Sequence, residues 1–193
     1  VLLLEIADKI EEKILLLNAK PAFPVNLSIN DIAAHATPAF NEETKSYGLL
    51  KVDIGIHING FIADTAFSLD LENSEENKNL IKAAESARDS ALAKISPNTK
   101  IRDIGAEIEK VCKSYNTQPI HNLSGHSINQ YNPHAGLTIP NYDNHQETKI
   151  PFGVYAIEPF TTLLSASGSV REGKLSGIYS LEKEGNVRNT LAR

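Results

Sequence analysis

Apolar and polar residues alternate with a period of two through Lys51-Val-Asp-Ile-Gly-Ile-His-Ile-Asn-Gly-Phe-Ile-Ala-Asp-Thr-Ala-Phe67, the spacing of a β-strand with two different faces. Asn59-Gly60 interrupts the run. A two-residue type I′ turn needs positive φ at both central positions, so this pair predicts a hairpin over roughly 50–71. The register then follows: Ile58 pairs with Phe61, His57 with Ile62 and Gly55 with Asp64. One face collects Val52, Ile54, Ile56, Ile58, Phe61, Ala63, Thr65 and Phe67 and is expected to pack a core. The other carries Asp53 and its diagonal neighbour Asp64, with glycine between them.

Elsewhere the spacing is helical. Leu3, Ile6, Ile10, Ile14 and Leu17 mark a first helix over 2–17, ended by Pro21 and Pro24. Residues 25–40 read as extended or loop, and 41–48 as a polar connection. Ser74-Glu75-Glu76 opens a second helix with acids in its first turn. It runs through Leu80, Ile81, Ala84, Ala87, Ala91, Leu92 and Ile95 to the break at Pro97. Thr99 is placed to cap a third, carrying Ile101, Ile104, Ile108 and Val111. Cys112 falls beside that stripe and reads as a small core residue. After Pro119, short strand-like pieces alternate with Gly, Pro and Asn. Val154-Tyr-Ala-Ile-Glu-Pro159 is a strand with Val154, Ala156 and Glu158 on one face. Beyond 164 the text is Ser/Gly-rich and then charged, without a clear core element. A strand pair, then helices, then further strands predicts an α+β fold.

Composition narrows the class. The 193 residues suffice for one substantial core. A formal net charge of −5 without a basic cluster argues against a general nucleic-acid binder. A single cysteine excludes an intrachain disulfide framework and suits a reducing compartment. No apolar run is long enough to span a membrane, and a cytoplasmic protein is the default expectation. The chain contains no methionine and opens inside a helical pattern, so it reads as a fragment or a processed chain.

The candidate chemistry lies in acids and histidines. His35, His121, His126 and His134 stand near Gly, Pro or Asn; a loop histidine of this kind is ordinarily a hydrogen-bonding surface residue, and His145 is read that way. His57 lies on the acid face but beside the turn, at its rim. Two acids on one hairpin face could equally be a solvated face. Glu158 changes the picture: among Val, Tyr, Ala and Ile it is expected to be buried, and a buried carboxylate needs a partner or a metal. Two Asp, a Glu and a His form a mostly oxygen ligand set suited to divalent Mn, Fe, Co or Zn. Such carboxylates also suit a pair of ions about 3.5–4 Å apart that activates water and polarises a carbonyl.

Several blocks together resemble methionine aminopeptidases of the type 2 class in their shorter, archaeal form. They are Pro21-Ala-Phe-Pro-Val-Asn-Leu-Ser-Ile-Asn30, Ala-Ala-His35-Ala-Thr-Pro, the Asp53/Asp64 hairpin, Asn-Leu-Ser-Gly-His126-Ser-Ile, Pro-His134-Ala-Gly and Tyr-Ala-Ile-Glu158-Pro-Phe. The blocks keep order and spacing to about residue 162. The resemblance implies a pita-bread fold with a dinuclear centre of two divalent metal ions (Co, Mn, Fe or Zn). It implies that Asp53 chelates one ion, that Asp64 bridges both, and that His126 and Glu158 bind the second. His35 and His134 would face the substrate, orient the scissile amide and stabilise its tetrahedral intermediate. The implied reaction removes an initiator methionine, held in a shallow apolar pocket, from nascent chains with a small second residue. The implied partners are nascent peptide N-termini and the ribosome.

The family's fifth ligand, a glutamate in a Gln-Phe-Glu-His or Gln-Trp-Glu-His context, has no counterpart after Glu158. Glu172, Glu182 and Glu184 stand in charged, glycine-flanked text. On this reading the chain is truncated at both ends. Residues 1–164 form a partial pita-bread catalytic domain, and 165–193 form the start of the type 2 helical insert and are expected to be poorly ordered. The isolated chain would be short of one carboxylate, and inactive unless a second chain supplies the remainder. Two alternatives stand beside this one: an Xaa-Pro aminopeptidase or prolidase of the same fold, and a pita-bread binding protein deficient in metal.

Overall fold

The alternating run folds as expected. In the computed structural model, which describes residues 1–174, 176–181 and 185, the chain opens with α1 (Leu3–Leu16), the short β1 (Lys20–Pro21) and β2 (Asn26–Ile29). The hairpin strands β3 (Leu49–Ile58) and β4 (Phe61–Asp70) follow, then helices α2 (Glu75–Lys94) and α3 (Ile101–Ser114). The remaining strands are β5 (Thr117–Pro119), β6 (Ser124–Ile128), β7 (Thr138–Pro140), β8 (Val154–Ala156) and β9 (Thr161–Leu163). Ile58 pairs with Phe61, His57 with Ile62 and Gly55 with Asp64, and both turn residues have positive φ, Asn59 at 51° and Gly60 at 83°. β4 runs along one edge of β3, while β1 and β2 share the other edge in succession. Two smaller sheets complete the α+β fold, one ordered β7-β6-β8 and one pairing β5 with β9.

Two hydrophobic clusters hold these layers together. Leu3 and Ala7 of α1, with Ile6 and Ile10 beside them, pack on Val25, Leu27, Ile29, Leu50 and Val52. Ala87 and Ala91 of α2 meet Ile104, Ile108 and Cys112 of α3, together with Ile139 and Ile150. Cys112 is fully buried, and burial pushes its thiol up to about 11, so it is an inert core residue.

Several expectations need correction. The apolar hairpin face is only half a core face: Val52 is buried, but Ile58, Phe61 and Phe67 are exposed. α1 lies over β2 and β3, and among the described residues nothing of the first cluster reaches β4. Leu17 is exposed rather than part of the α1 stripe, because the helix ends at Leu16 and Asn18 turns the chain at φ 59°, before either proline. On α2 the fully buried positions are Ala83, Ala87 and Ala91, small residues that let α3 approach, while Leu92 faces out. Ser74 caps α2 by accepting from the Asn77 N–H at 3.4 Å. Thr99 does not cap α3. Its hydroxyl closes the preceding turn, donating to the Lys94 carbonyl at 2.9 Å and accepting from Ser96 N–H at 2.8 Å. Lys100 is the N-cap, and the first amides of α3 donate to the Thr148 and Gln146 carbonyls instead. β8 ends at Ala156, so Glu158 stands two residues beyond it.

The 165–193 segment lies partly outside the described residues. Residues 165–170 are bound to the body: Gln118 Nε2 donates to the Ala166 carbonyl, and Asn122 exchanges bonds with Val170. No helix among the described residues is long and apolar enough to cross a membrane.

Gly105 shows how tightly α3 meets the end of β7 and the backbone that leaves it. A Cβ there would lie 2.1 Å from the Tyr142 carbonyl oxygen and 2.8 Å from that of Pro140. Helix propensity alone would make Gly105→Ala stabilising by about 1 kcal/mol. Overpacking against backbone reverses the sign, and urea denaturation is expected to show a loss of about 1–3 kcal/mol.

Candidate metal centre

The hairpin register aligns Asp53 and Asp64 on one face, and Gly55, the partner of Asp64, clears the space between them. A Cβ on Gly55 would lie 2.2 Å from the Phe23 ring, so the glycine admits that ring against the acid face. Phe23 was not legible as a site residue, although an isolated glycine inside a strand is the signal of such an approach. His126 comes from the middle of the second sheet, paired with Thr138 on one side and Ala156 on the other. Its neighbour Gly125 carries no side chain because the Ala156 carbonyl lies 2.3 Å from where a Cβ would be. This close approach brings the chain after β8, and with it Glu158, up to His126.

Three expected ligands converge. His126 Nε2 lies 2.8 Å from Glu158 Oε1 and 3.6 Å from Asp64 Oδ2, and donor atoms of the three lie within 4.8 Å of one another. Asp53 stands beside this group, near enough to act on it electrostatically, but outside the trio. Although His126 and Glu158 nearly touch, they are not aligned as a hydrogen bond: Glu158 Oε1 and His126 Nδ1 are both buried without a partner. Burial, reinforced by Asp64 and Glu158, pushes Asp53 up to about 7, against a smaller pull from His126. Burial and Glu158 raise Asp64 to about 6, again opposed by His126. His126 is desolvated, but the Glu158 and Asp64 carboxylates outweigh that and raise it. The charged groups acting on Asp53 are thus two acids and one imidazole, with no lysine or arginine among them. Crowded carboxylates, an orphaned oxygen and one imidazole form a donor set that fits a divalent cation.

The other expected site residues border the same place. The loop carrying His35, itself at φ 59°, is tied down by Leu27 N–H donating to the Ala36 carbonyl at 2.7 Å and by the Thr37 hydroxyl donating to Val25 at 3.0 Å. The His134 ring lies edge-on to His126 with centroids 4.4 Å apart. Burial and His126 lower its pKa, so it is neutral near pH 7. His35, His126, His134 and Glu158 open onto a cavity of about 260 Å³ whose apolar wall includes Leu123, Leu137 and Phe160. Those three were not anticipated from the sequence. His57 stays at the rim, accepting from Gly60 N–H at 3.1 Å. His121 Nδ1 lies 3.0 Å from the Gly168 carbonyl, and His145 sits in a surface network with Arg102 and Asp143. Glu172 is exposed, and Glu182 and Glu184 lie outside the described residues.

Comparison with known proteins decides the family. Residues 1–190 match the pattern of Metallopeptidase family M24. The chain belongs to that family. It is 42% identical over 194 residues to a methionine aminopeptidase of Methanocaldococcus jannaschii and 45% identical over 195 residues to one of Pyrococcus abyssi. Each alignment takes in 99% of this chain and 65% of the relative, so the chain spans about two-thirds of their length. Among solved structures, methionine aminopeptidase from Rickettsia prowazekii superposes with a TM-score of 0.80 at 23% identity, covering 92% of this chain and 75% of that one. Prolidase from Pyrococcus furiosus gives 0.66 at 21%, covering 80% and 46%. The expected pita-bread fold is therefore the fold of this M24 chain.

The electrostatics set a pH dependence. Folding raises the pKa of Asp53 and Asp64, so the metal-free chain binds their protons more tightly folded than unfolded. That stability is full below about pH 4, the unfolded value, and is lost as pH rises through the folded values. The raised His126 acts in the same direction. Thermal melts without metal are expected to fall in midpoint between about pH 5 and 7.5, with Mn²⁺ raising the midpoint at the upper end and not at the lower. Asp64→Asn should flatten the metal-free profile and abolish the Mn²⁺ shift.

Proposed function

We propose that this chain forms the metal-binding and substrate-facing part of a methionyl aminopeptidase, which removes the N-terminal methionine from newly made proteins whose second residue is small. The observation that carries the reading is the convergence of Asp64, His126 and Glu158, of which His126 and Glu158 also line a small cavity bordered by His35 and His134. The names and identity of the archaeal relatives support the same substrate.

In this reading the site takes two divalent ions of the Mn, Fe, Co or Zn class. Asp53, Asp64, His126 and Glu158 would hold them. Bound metal supplies Lewis acidity and lowers the pKa of water. The protein's own groups do the rest. Leu123, Leu137 and Phe160 receive the unbranched methionine side chain, which an apolar wall accommodates without a polar partner. His134, neutral near pH 7, donates an N–H to the scissile carbonyl and stabilises the charge that develops on its oxygen. His35, which lines the same cavity, orients the amide. A carboxylate of the same ligand group accepts the proton of the attacking water. Substrates of this kind arise at the ribosome, so the reading carries with it a cytoplasmic protein in transient contact with nascent chains.

A prolidase-type specificity shares the fold and the ligand pattern, and the His121-Asn-Leu-Ser-Gly-His-Ser-Ile128 and Ala33-Ala-His-Ala-Thr-Pro38 blocks speak against it. A metal-deficient binding protein would share the fold too, but retention of Asp53, Asp64, His126 and Glu158 together speaks for the enzyme. The assay compares Met-Ala-Ser with an Xaa-Pro peptide, using the protein that contains this chain, loaded with Mn²⁺ or Co²⁺. Release of methionine is expected to be favoured by about tenfold or more, the discrimination one well-matched side chain provides. Preference for the Xaa-Pro peptide would overturn the assignment. His134→Ala is expected to lower kcat by about a hundredfold while metal affinity is kept.

A further inference from the structure

The candidate ligands are supplied by two sheets that share no hydrogen-bonded strand pair: Asp53 and Asp64 by the hairpin, His126 by the β7-β6-β8 sheet. The loop leaving β6 bridges them. Residues 129–132 form a tight turn in which Asn129 and Asn132 exchange backbone bonds of 2.9 and 3.0 Å. At its tip, Tyr131 N–H donates to the Gly60 carbonyl at 2.9 Å, and Gln130 Nε2 donates to the Asn59 carbonyl at 2.8 Å. The tip of the β3–β4 hairpin is thereby clasped. The Tyr131 ring lies over Gly60, where a Cβ would come within 2.4 Å of it, and edge-on to His57 at 5.6 Å between centroids. The other end of the loop carries His134, whose N–H donates to Asn132 Oδ1 at 3.2 Å, followed by Ala135 N–H to the Ser127 carbonyl at 2.8 Å.

Tyr131 is 68% exposed and has φ 58°. An aromatic residue in the left-handed region costs about 1–2 kcal/mol, and an exposed one recovers little of that by burial. Its cost is offset by what the clasp holds. We propose that Tyr131, seated in the notch made by Gly60 and His57, is a positioning residue that sets His134 relative to the hairpin acids. This deepens the aminopeptidase reading and rests on it for its catalytic consequence, while the placement of the His134 ring is testable without it. Among the described residues the Tyr131 hydroxyl makes no hydrogen bond, so the ring and the backbone bond are what matter.

The experiment uses Tyr131→Ala and Tyr131→Phe, each alone and combined with His134→Ala. Tyr131→Ala is expected to lower kcat for Met-Ala-Ser by about tenfold or more, the scale of a small misplacement of a catalytic group. Mn²⁺ affinity should be unchanged, since the ring touches none of the ligand candidates. Tyr131→Phe should retain wild-type turnover. In the His134→Ala background, Tyr131→Ala should cost nothing further, whereas a general structural role would add its loss there. Independently of turnover, the His134 ring resonance in ¹H–¹⁵N spectra should shift or broaden in Tyr131→Ala and not in Tyr131→Phe. An unmoved His134 resonance in Tyr131→Ala, or an equal loss with and without His134, overturns the proposal. A protein inactive on Met-Ala-Ser whose His134 resonance still responds to Tyr131→Ala would overturn the aminopeptidase reading and leave the clasp standing.

Discussion

Burying carboxylates beside one another is costly, and in this chain that cost sets the character of the centre. Asp53, Asp64 and Glu158 face one imidazole, and burial together with the neighbouring carboxylates raises the proton affinity of Asp53 and Asp64 against a smaller pull from His126. Left alone, such a group takes up protons as it folds. With a divalent cation it becomes a matched set, and the buried Oε1 of Glu158 gains the partner it otherwise lacks. Much of the surrounding architecture can be understood as what brings these like charges together.

Small residues do much of that work by being absent at the right places. Gly55 admits Phe23 to the acid face, Gly125 admits the Ala156 carbonyl beside His126, and Gly60 admits Tyr131 at the hairpin tip. On the far side, Ala83, Ala87 and Ala91 draw α3 close, and Gly105 brings it against the Pro140–Tyr142 backbone. Side chains larger than these would separate elements whose facing residues have to meet within a few ångströms. Rigidity at the site therefore comes from close backbone approach more than from long side-chain networks.

The hairpin was legible because its signal is local. Asn-Gly demands an unusual turn, the turn dictates the register, and the register dictates which acids share a face. The helices were legible for the same reason, the first with its limits within a residue of Leu3–Leu16. What failed was non-local. Thr99 has the composition of a cap but serves the preceding turn, because the Thr148 and Gln146 carbonyls already satisfy the amides it would have capped. The apolar stripe of β4 promised a core, yet burial depends on what lies opposite, and α1 covers only β2 and β3. Leu123, Leu137 and Phe160 read as ordinary apolar residues until folding placed them around one cavity.

The amino-acid order by itself determined the α+β class, the hairpin register, the pairing of Asp53 with Asp64 on one face, and, through its motif blocks, the family. Each depends on residues near in sequence or on residue identity alone. The tertiary structure decided that Asp64, His126 and Glu158 form the close trio with Asp53 beside it, that His134 lies edge-on to His126, and that Tyr131 ties its loop to the hairpin. Those relations join residues that lie on separate sheets or on the loops that leave them. No local propensity encodes the distance between two sheets; only the packing of the whole chain sets it.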